Sequence, residues 1–309
     1  MYKSFSIKRY QKLQKMFKSL TLGVIILFLL SCNNQNEKVP EQKVEIVEKA
    51  ETSSDLSNKE KAVALLRSLE TGDQTAAGYI NPEKYVQHNL GVSDGLEGFG
   101  EVLKNAPKGG FKANVIRSFQ DGDYVFTHTV YDFFGPKVGF DIFKFEDGKI
   151  IEHWDNLADL AQPNPSGRTQ TDGTTAITDL AKTKGNKEIA KDFITWVLID
   201  GHFDEMGNYF EGNNYIQHNP LIADGLTKYG KALQDFVKQG KAVVYAKNHI
   251  VLGEGNFVLT VSEGTMGGKP TAFYDLFRMK NGIFVEHWDV IETILPEADH
   301  KNSNGKFNF

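Results

Sequence analysis

Residues 140–155 read FDIFKFEDGKIIEHWD, and residues 274–289 read YDLFRMKNGIFVEHWD. Each stretch has two runs rich in apolar and aromatic residues around a short turn, at Asp147-Gly148 in the first copy and at Asn281-Gly282 in the second. Asp-Gly and Asn-Gly suit a two-residue hairpin because both residues tolerate a positive φ. The sequence therefore predicts two antiparallel hairpins, each ending in the same polar run, Glu-His-Trp-Asp.

The two hairpins belong to a longer internal repeat. The run Tyr85-Val86-Gln87-His88-Asn89 recurs as Tyr215-Ile216-Gln217-His218-Asn219. Amphipathic helical patterns over residues 58–70 and 186–199 precede these motifs, and strand-like runs follow them in each copy. Helices followed by an antiparallel meander are typical of the α+β class. We therefore predict two tandem α+β domains, each an antiparallel sheet packed on N-terminal helices.

Composition shifts set the domain boundaries. A polar stretch follows the N-terminal region, and a run rich in Pro, Gly and Thr separates the two copies. The predicted organisation is a signal peptide over residues 1–31, a disordered tether over 32–57, a first domain over 58–160, a linker over 161–185, a second domain over 186–294 and a polar tail over 295–309.

The N-terminus carries six Lys or Arg residues and then an apolar run from Leu20 to Leu30. A transmembrane helix needs about 20 apolar residues, so the run is short for a span and typical of a secretory signal peptide. Cys32, the only cysteine of the chain, follows Leu-Leu-Ser in a pattern that resembles a bacterial lipobox. We expect lipidation of Cys32 and a membrane-anchored lipoprotein of the bacterial cell envelope, facing the periplasm or the outer membrane. The alternative is an ordinary signal peptide with an incidental cysteine.

Net charge excludes one class of partner. Without residues 1–31 the chain keeps 29 basic residues against 40 acidic ones, a formal charge of −11. Such a chain is a poor match for nucleic acid or for an anionic membrane surface. We expect attachment to the membrane through the lipid on Cys32 alone.

Strand alternation assigns faces to the polar residues of the hairpins. In the first strand of each hairpin, Asp141 and Asp275 lie on the face opposite Lys144 and Arg278. If the cations face solvent, the two aspartates point inward among aromatic side chains. In the closing strand, His153 and Asp155 share a face with Ile151, whereas Glu152 and Trp154 share the other with Ile150. Both faces of that strand carry apolar residues, so the sequence does not decide which face points inward.

The order of motifs resembles a known group of proteins. Tyr-x-Gln-His-Asn, then Asp-Gly, then Asp-[Ile/Leu]-Phe-[Lys/Arg] and finally Glu-His-Trp-Asp is similar to SnoaL-like proteins of the nuclear transport factor 2-like superfamily, in the branch described as predicted aldol-condensation-catalysing enzymes. The resemblance covers residues 58–160 and 186–293. It implies cone-shaped domains, each a curved sheet around helices that encloses a deep apolar pocket. It also implies cofactor-free acid/base chemistry of the polyketide-cyclase type.

The same resemblance implies which residues line the pockets. By motif they are His88, Asp141, His153 and Asp155 in the first copy, and His218, Asp275, His287 and Asp289 in the second. Which aspartate would be the acid/base stays open, and His88 and His218 have a structural role as the alternative. His128 lies on a middle strand where the second copy has Val261. No cofactor is expected, and no metal, because there is no Cys cluster and no His-x-x-x-His.

The residue types fit proton transfer. A carboxylate in an apolar pocket has a raised pKa and becomes a better base near neutral pH, and a nearby His can donate to a developing oxyanion. One hypothesis is therefore an aldol, cyclase or isomerase enzyme acting on a small apolar carbonyl compound. The other is a non-catalytic module that holds a hydrophobic ligand, or whose two domains pack as an internal pseudo-dimer, with a homodimer also open.

Overall fold

A computed structural model of the chain describes residues 56–106, 110–133 and 135–309. They belong to one compact unit that spans residues 52–309. The expected signal peptide, Cys32 and the tether up to residue 55 lie outside the described residues. Among the helices that are described, none combines the length and the apolar character needed to cross a membrane.

The first half of the unit begins with helices and ends with a sheet. Helix α1 and a 3₁₀ turn, Gln74–Tyr79, precede the short strand β1, and helix α2 precedes the meander. The bounds are α1 (Asn58–Thr71), β1 (Val86–Gln87), α2 (Gly95–Lys104), β2 (Lys112–Asp121), β3 (Tyr124–Asp132), β4 (Pro136–Glu146) and β5 (Lys149–Asp159). The sheet order is β1-β5-β4-β3-β2.

The second half repeats this order of elements. Helix α3 runs on into a π-helical turn, Phe193–Ile199, and a 3₁₀ turn, Phe203–Tyr209, leads to the sheet. The bounds are α3 (Thr183–Asp192), β6 (Ile216–Gln217), α4 (Leu226–Lys238), β7 (Val243–Glu254), β8 (Phe257–Met266), β9 (Lys269–Lys280) and β10 (Ile283–Thr293). The sheet order is β6-β10-β9-β8-β7.

The predicted α+β class, with two similar sheets packed on helices, is confirmed. One detail of the prediction is wrong, because each sheet is mixed and not wholly antiparallel. β1 pairs in parallel with β5, and β6 pairs in parallel with β10, each through two residues. These short strands place the Gln-His-Asn motif directly beside the Glu-His-Trp-Asp strand, which is what assembles the site.

The two hairpin turns form as predicted. Asp147 and Gly148 have φ values of 50° and 71°, and Asn281 and Gly282 have φ values of 54° and 77°. Two successive residues with positive φ are the signature of a type I′ turn, which matches the twist of the flanking strands.

A β-bulge changes the predicted faces of the closing strands. The register of β4 against β5 shifts between Lys144 and Phe145, so Ile151 is the extra residue. The bulge turns Ile150 to the side of His153 and Asp155, where it packs against Phe143 and the other residues of the first domain's own core. The sequence placed Ile150 beside Trp154 because simple alternation makes no allowance for an inserted residue. The same shift occurs in β10 between Phe284 and Glu286.

The two halves share a large apolar core between their sheets. Trp154 and Phe140 from the first half and Trp288 and Tyr274 from the second belong to one buried cluster, and all four are essentially inaccessible to solvent. The outer face of each sheet, which carries Trp154 or Trp288, is therefore covered by the other half. Both tryptophans are therefore core residues at the contact between the halves.

The segments that follow each sheet pack on the opposite half. Residues 164–172, within the predicted linker, donate from the Asn164 side chain to the Gln217 and Ile222 carbonyl groups at 2.6 and 2.8 Å. Residues 302–309, within the predicted polar tail, donate from the Asn302 side chain to the carbonyl groups of Asn89 and Val92 at 2.7 and 2.9 Å. We call these the linker segment and the C-terminal segment. Each half is thus closed by a segment that the other half supplies.

Candidate active site

Each half contains a cavity of about 240 Å³ on the inner side of its sheet. The first pocket is lined entirely by residues 65–157, mostly apolar side chains of α1, α2 and the strands. Three acid–base side chains, Asp141, His153 and Asp155, lie on its sheet wall. The structure therefore brings together three of the four residues implied for this pocket.

Asp141, which is buried, and His153, which is half-buried, form a pair in the first pocket. Nε2 of His153 is 3.2 Å from Oδ1 of Asp141. The other carboxylate oxygen of Asp141 accepts hydrogen bonds from the hydroxyl groups of Tyr131 at 2.6 Å and of Thr127 at 3.2 Å. On its far side, Nδ1 of His153 is 3.2 Å from Nε2 of Gln87. Both oxygens of Asp141 are thus occupied by donors of the protein.

Asp155 differs from Asp141 in having a free oxygen. The two residues are direct cross-strand partners in β4 and β5. Oδ2 of Asp155 accepts a hydrogen bond from the Asn89 side chain at 2.9 Å. Oδ1 is buried and has no hydrogen-bond partner among the described residues. Asp155 therefore keeps one acceptor oxygen that no donor of the described residues occupies, whereas both oxygens of Asp141 are occupied.

Burial sets the proton affinity of this site. Loss of hydration raises the pKa of Asp141 above its usual value, and the hydrogen bonds from His153 and Tyr131 offset part of that effect. The pKa of Tyr131 is raised well above its ordinary value, first by burial and then by the charge of Asp141. Tyr131 therefore stays a neutral donor to Asp141.

The second pocket has the same polar wall with different surroundings. Nε2 of His287 is 3.1 Å from Oδ1 of Asp275, and Nδ1 of His287 is 2.9 Å from Oε1 of Gln217. Both oxygens of Asp289 lie within 3.1 Å of the Asn219 side-chain nitrogen. Burial raises the pKa of Asp289. This pocket also contains residues from outside its own half, among them Ala158 and Gln170.

A tyrosine holds the inner aspartate in both pockets, but it comes from different strands. In the first half Tyr131 on β3 faces Ala113 on β2, whereas in the second half Tyr245 on β7 faces Gly264 on β8. The hydroxyl of Tyr245 lies 3.1–3.2 Å from the oxygens of Asp275. The large and small residues of this cross-strand pair are exchanged, so the tyrosines occupy non-equivalent positions in the repeat. Sequence comparison of the copies could not find them for that reason.

His88 and His218 do not reach the pockets, and the expectation that they line them is corrected. Adjacent residues of a strand point to opposite faces, so Gln87 and Asn89 face the first pocket while His88 faces the other half. His88 stacks on Trp154 with ring centroids 4.3 Å apart, and its Nδ1 is 2.8 Å from the Gly305 carbonyl oxygen. His218 lies in the same way on Trp288, with its Nδ1 2.8 Å from the Thr169 carbonyl oxygen. His88 thus contacts the C-terminal segment, and His218 contacts the linker segment.

The lysine and arginine of the hairpins are not free surface cations either. Lys144 donates to Glu152 at 2.7 Å and Arg278 to Glu286 at 2.6 Å. Glu152 also lies 3.1 Å from His88 Nε2, so these cations complete a polar cluster beside the shared core. The inference that Asp141 and Asp275 face the pockets was right. Its premise that Lys144 and Arg278 face solvent was wrong, because both side chains are largely covered.

His128 is also remote from the pocket. It is fully buried, and its Nδ1 is 2.6 Å from a guanidinium nitrogen of Arg117. Arg117 lies over the Trp288 ring at 4.3 Å, and burial lowers the pKa of this arginine to about 10. His128 therefore belongs to the contact between the halves, at the position that Val261 occupies in the second copy, as the alignment predicted.

Within residues 56–106, 110–133 and 135–309, the same side chains form the two clusters that could hold a cation. Ligand atoms of Asp141, His153 and Asp155 lie within 4.8 Å of one another, and the equivalent atoms of the second pocket do so too. A metal at the first cluster would compete with the hydrogen bond between His153 and Asp141. The donor set is also small, with one imidazole and two carboxylates in largely apolar surroundings.

No family model and no curated protein sequence matches this chain. Solved structures do. IdmH from Streptomyces antibioticus, a candidate polyketide cyclase, matches with a TM-score of 0.29 and 19% identity over 33% of this chain and 92% of its own. An NTF2-like protein of unknown function from Cytophaga hutchinsonii has a TM-score of 0.31 and 14% identity, over 35% of this chain and 95% of its own. An LEH-like epoxide hydrolase from M. tuberculosis has a TM-score of 0.28 and 20% identity, over 33% and 82%.

Proposed function

We propose that the first pocket carries out cofactor-free proton transfer on a small apolar carbonyl compound, with Asp155 as the base. The observation that carries the proposal is that Asp155 lines an apolar cavity and has an oxygen, Oδ1, with no hydrogen-bond partner among the described residues. Asp141 has three donors on its oxygens and is the weaker acceptor.

The reaction needs only groups of the chain. Asp155 takes a proton from the carbon next to the substrate carbonyl, and the electron pair of that C–H bond moves into an enolate. The Nε2–H of His153, whose contact with Asp141 is long at 3.2 Å, would donate to the enolate oxygen. The protonated Asp155 then returns the proton to carbon or to an alkoxide. This is the proton cycle of an isomerase or of an intramolecular aldol closure.

The cavity limits the substrate. A volume of about 240 Å³ lies below the usual range of about 300–1,000 Å³ for ligand pockets, so a compact molecule is favoured. The wall opposite the acid–base residues is built from side chains such as Leu66, Phe99 and Phe133. These side chains offer no hydrogen bonds, which favours an apolar body with one carbonyl group.

Solvent hydrogen exchange tests the proposal without knowledge of the product. The chain is incubated in deuterated water with a panel of small apolar ketones and aldehydes, and deuterium gained at the carbon next to the carbonyl is measured by NMR. We expect Asp155→Asn to reduce exchange by at least about 100-fold, the lower end of the usual contribution of a general base. Asp132→Asn is the matched control, because Asp132 ends strand β3 of the same sheet and is exposed.

Two outcomes would contradict the proposal. If Asp155→Asn exchanges hydrogen as fast as the unaltered chain, Asp155 is not the base. If a chelator abolishes exchange, the chemistry depends on a metal at the cluster and not on the carboxylate alone.

A non-catalytic ligand-binding module is the second candidate. It is favoured by the saturated hydrogen bonds of Asp141, which leave that residue little capacity to react. Mass spectrometry of small molecules that co-purify with the chain tests it. A bound hydrophobic compound that is lost in Val102→Trp, which fills the first pocket, together with no hydrogen exchange in the panel above, would support binding over catalysis.

We also propose that the chain is a lipoprotein of the cell envelope, anchored through Cys32. The supporting observations are the basic and apolar order of the N-terminus and the position of the single cysteine. Intact-mass analysis should show acyl chains on Cys32 and none in Cys32→Ser. An unmodified mature chain would refute the anchor.

A further inference from the structure

Gln87 and Gln217 lie at equivalent positions behind the two pocket histidines, and their amide orientations are fixed by the backbone. Oε1 of Gln87 accepts a hydrogen bond from the Asn89 backbone N–H at 2.8 Å. Oε1 of Gln217 accepts from the backbone N–H groups of His218 and Asn219, both at 3.0 Å. Only the oxygen of an amide can accept such bonds, so the two ends of each side chain are identified.

These orientations give the two histidines different partners. In the first pocket it is the Nε2 amide group of Gln87 that faces His153 Nδ1, at 3.2 Å. In the second pocket it is the Oε1 oxygen of Gln217 that faces His287 Nδ1, at 2.9 Å. A donor thus faces His153 where an acceptor faces His287.

The partner of Nδ1 decides which ring nitrogen carries the proton. His153 must accept at Nδ1, so its proton is on Nε2 and is donated to the Asp141 carboxylate. His287 must donate from Nδ1. The 3.1 Å contact between His287 Nε2 and the Asp275 carboxyl group then needs a second proton, bound either to Nε2 or to the carboxyl oxygen. The pair in the second pocket therefore holds one proton more than the pair in the first.

The neighbouring groups strengthen this difference. In the first pocket Asp155 has an unpaired oxygen, and Tyr131 donates its hydroxyl to Asp141. In the second pocket Asp289 has both oxygens on the Asn219 amide, and burial together with the charge of Asp275 raises the pKa of Asp289. Burial raises the pKa of the tyrosines in both pockets, so these hydroxyl groups stay protonated in each and the difference lies in the carboxylates and histidines. The second pocket is rich in protons and lacks the free base of the first.

We propose that the two pockets have opposite acid–base characters: the first is a base site, and the second is a proton-donating site that binds a small ligand through a carboxylate or carbonyl oxygen. Gln87 and Gln217 are positioning residues, because they act through the tautomer of the histidine and not on the ligand. The base character of the first pocket rests on the proposed function, whereas the tautomer difference does not.

The tautomers are measured directly by ¹⁵N NMR of the full chain labelled at histidine. His153→Gln and His287→Gln assign the two pocket resonances. We expect His153 to show an unprotonated Nδ1 and a protonated Nε2, and His287 to show a protonated Nδ1.

Gln87→Glu tests the positioning role, since it replaces the amide donor facing His153 with an oxygen. We expect His153 Nδ1 to shift to the protonated range. Gln217→Glu is the matched control, because it adds the same charge but keeps an oxygen against His287 and should leave that tautomer unchanged.

Benzoate, a carboxylate small enough for either cavity, tests the ligand class. It should shift the resonances of His287 and not those of His153. Shifts at His153 as large as those at His287, or at neither histidine, would overturn the ligand assignment.

Equal tautomers in the unaltered chain would overturn the inference whether or not any variant folds. A Gln87→Glu chain that folds but keeps an unprotonated His153 Nδ1 would remove the positioning role. None of these measurements requires turnover, so a failure here is distinct from a failure of the hydrogen-exchange test.

Discussion

The hydrogen bond between Tyr131 and Asp141 should be worth most when the carboxyl group is charged. The hydroxyl is 2.6 Å from Oδ2, and both side chains are buried. Tyr131→Phe removes the donor and leaves the carboxylate in place. A hydrogen bond to a charged group contributes about 1.5–3 kcal/mol, so we expect the free energy of unfolding to fall by about that amount at pH 7.5.

The pH dependence follows from the direction of the Asp141 shift. Burial raises the pKa of Asp141 in the folded state, so the stability linked to this group is fully present below the unfolded pKa and is lost as pH rises through the folded value. Removing Tyr131 takes away a hydrogen bond that lowers this pKa, so the pKa of Asp141 rises further in the variant. The cost of Tyr131→Phe should therefore be smaller at pH 4.5 than at pH 7.5, because a larger fraction of the carboxyl group is neutral at the lower pH and a neutral acceptor gains less from the donor.

Urea unfolding followed by tryptophan fluorescence at both pH values measures the effect. Tyr245→Phe is the matched control, because its bonds to Asp275 are long at 3.1–3.2 Å and should contribute about 0.5–1 kcal/mol. A cost of Tyr131→Phe that is below that of the control, or that does not change between pH 7.5 and pH 4.5, would refute the assignment of a charged, donor-held Asp141.

Two further predictions concern the contact between the halves. Asn156 donates to the carbonyl groups of Ala272 and Val290 at 3.0 and 2.9 Å, so Asn156→Leu should lower the free energy of unfolding by about 1–3 kcal/mol in urea titrations, and a stabilised variant would contradict this account. Deletion of residues 306–309 removes the ring stacked on Trp154, so we expect a red shift of tryptophan emission and a loss of about 3 kcal/mol, the cost typical of removing a large buried aromatic; unchanged emission would show that the segment does not cover Trp154.

The hairpins and the inward aspartates could be predicted because they follow local rules. Turn chemistry fixes Asp147-Gly148, and the period of two in a strand separates Asp141 from Lys144. The same period, applied to Tyr-x-Gln-His-Asn, also indicates that His88 cannot share a pocket with Gln87 and Asn89. The prediction for His88 was wrong because it rested on the family resemblance and not on the strand period, which assigns the pocket face to Gln87 and Asn89.

Other parts of the site depend on tertiary contacts that no local pattern contains. Tyr131 and Tyr245 meet equivalent aspartates from non-equivalent positions, which only the strand pairing reveals. The linker and C-terminal segments share a short signal, Asn164-Pro-Ser-Gly-Arg against Asn302-Ser-Asn-Gly-Lys, each placed after a closing strand. Polar composition made both segments look like connectors, although Asn164 and Lys306 are buried.

The exchange of segments explains how the two pockets can differ while the halves keep one architecture. In a symmetric dimer a single sequence must serve both sides of the contact, whereas a tandem chain is free of that restriction. Here the ring of Phe309 covers Trp154, but the Arg117 guanidinium covers Trp288. Arg117 also donates to the carbonyl groups of residues 171 and 172. This arginine of the first half therefore holds the linker segment in place against the second half. The polar side chains of each pocket lie on the opposite face of the strands that make these contacts. The two pockets can therefore carry different proton arrangements on the same fold.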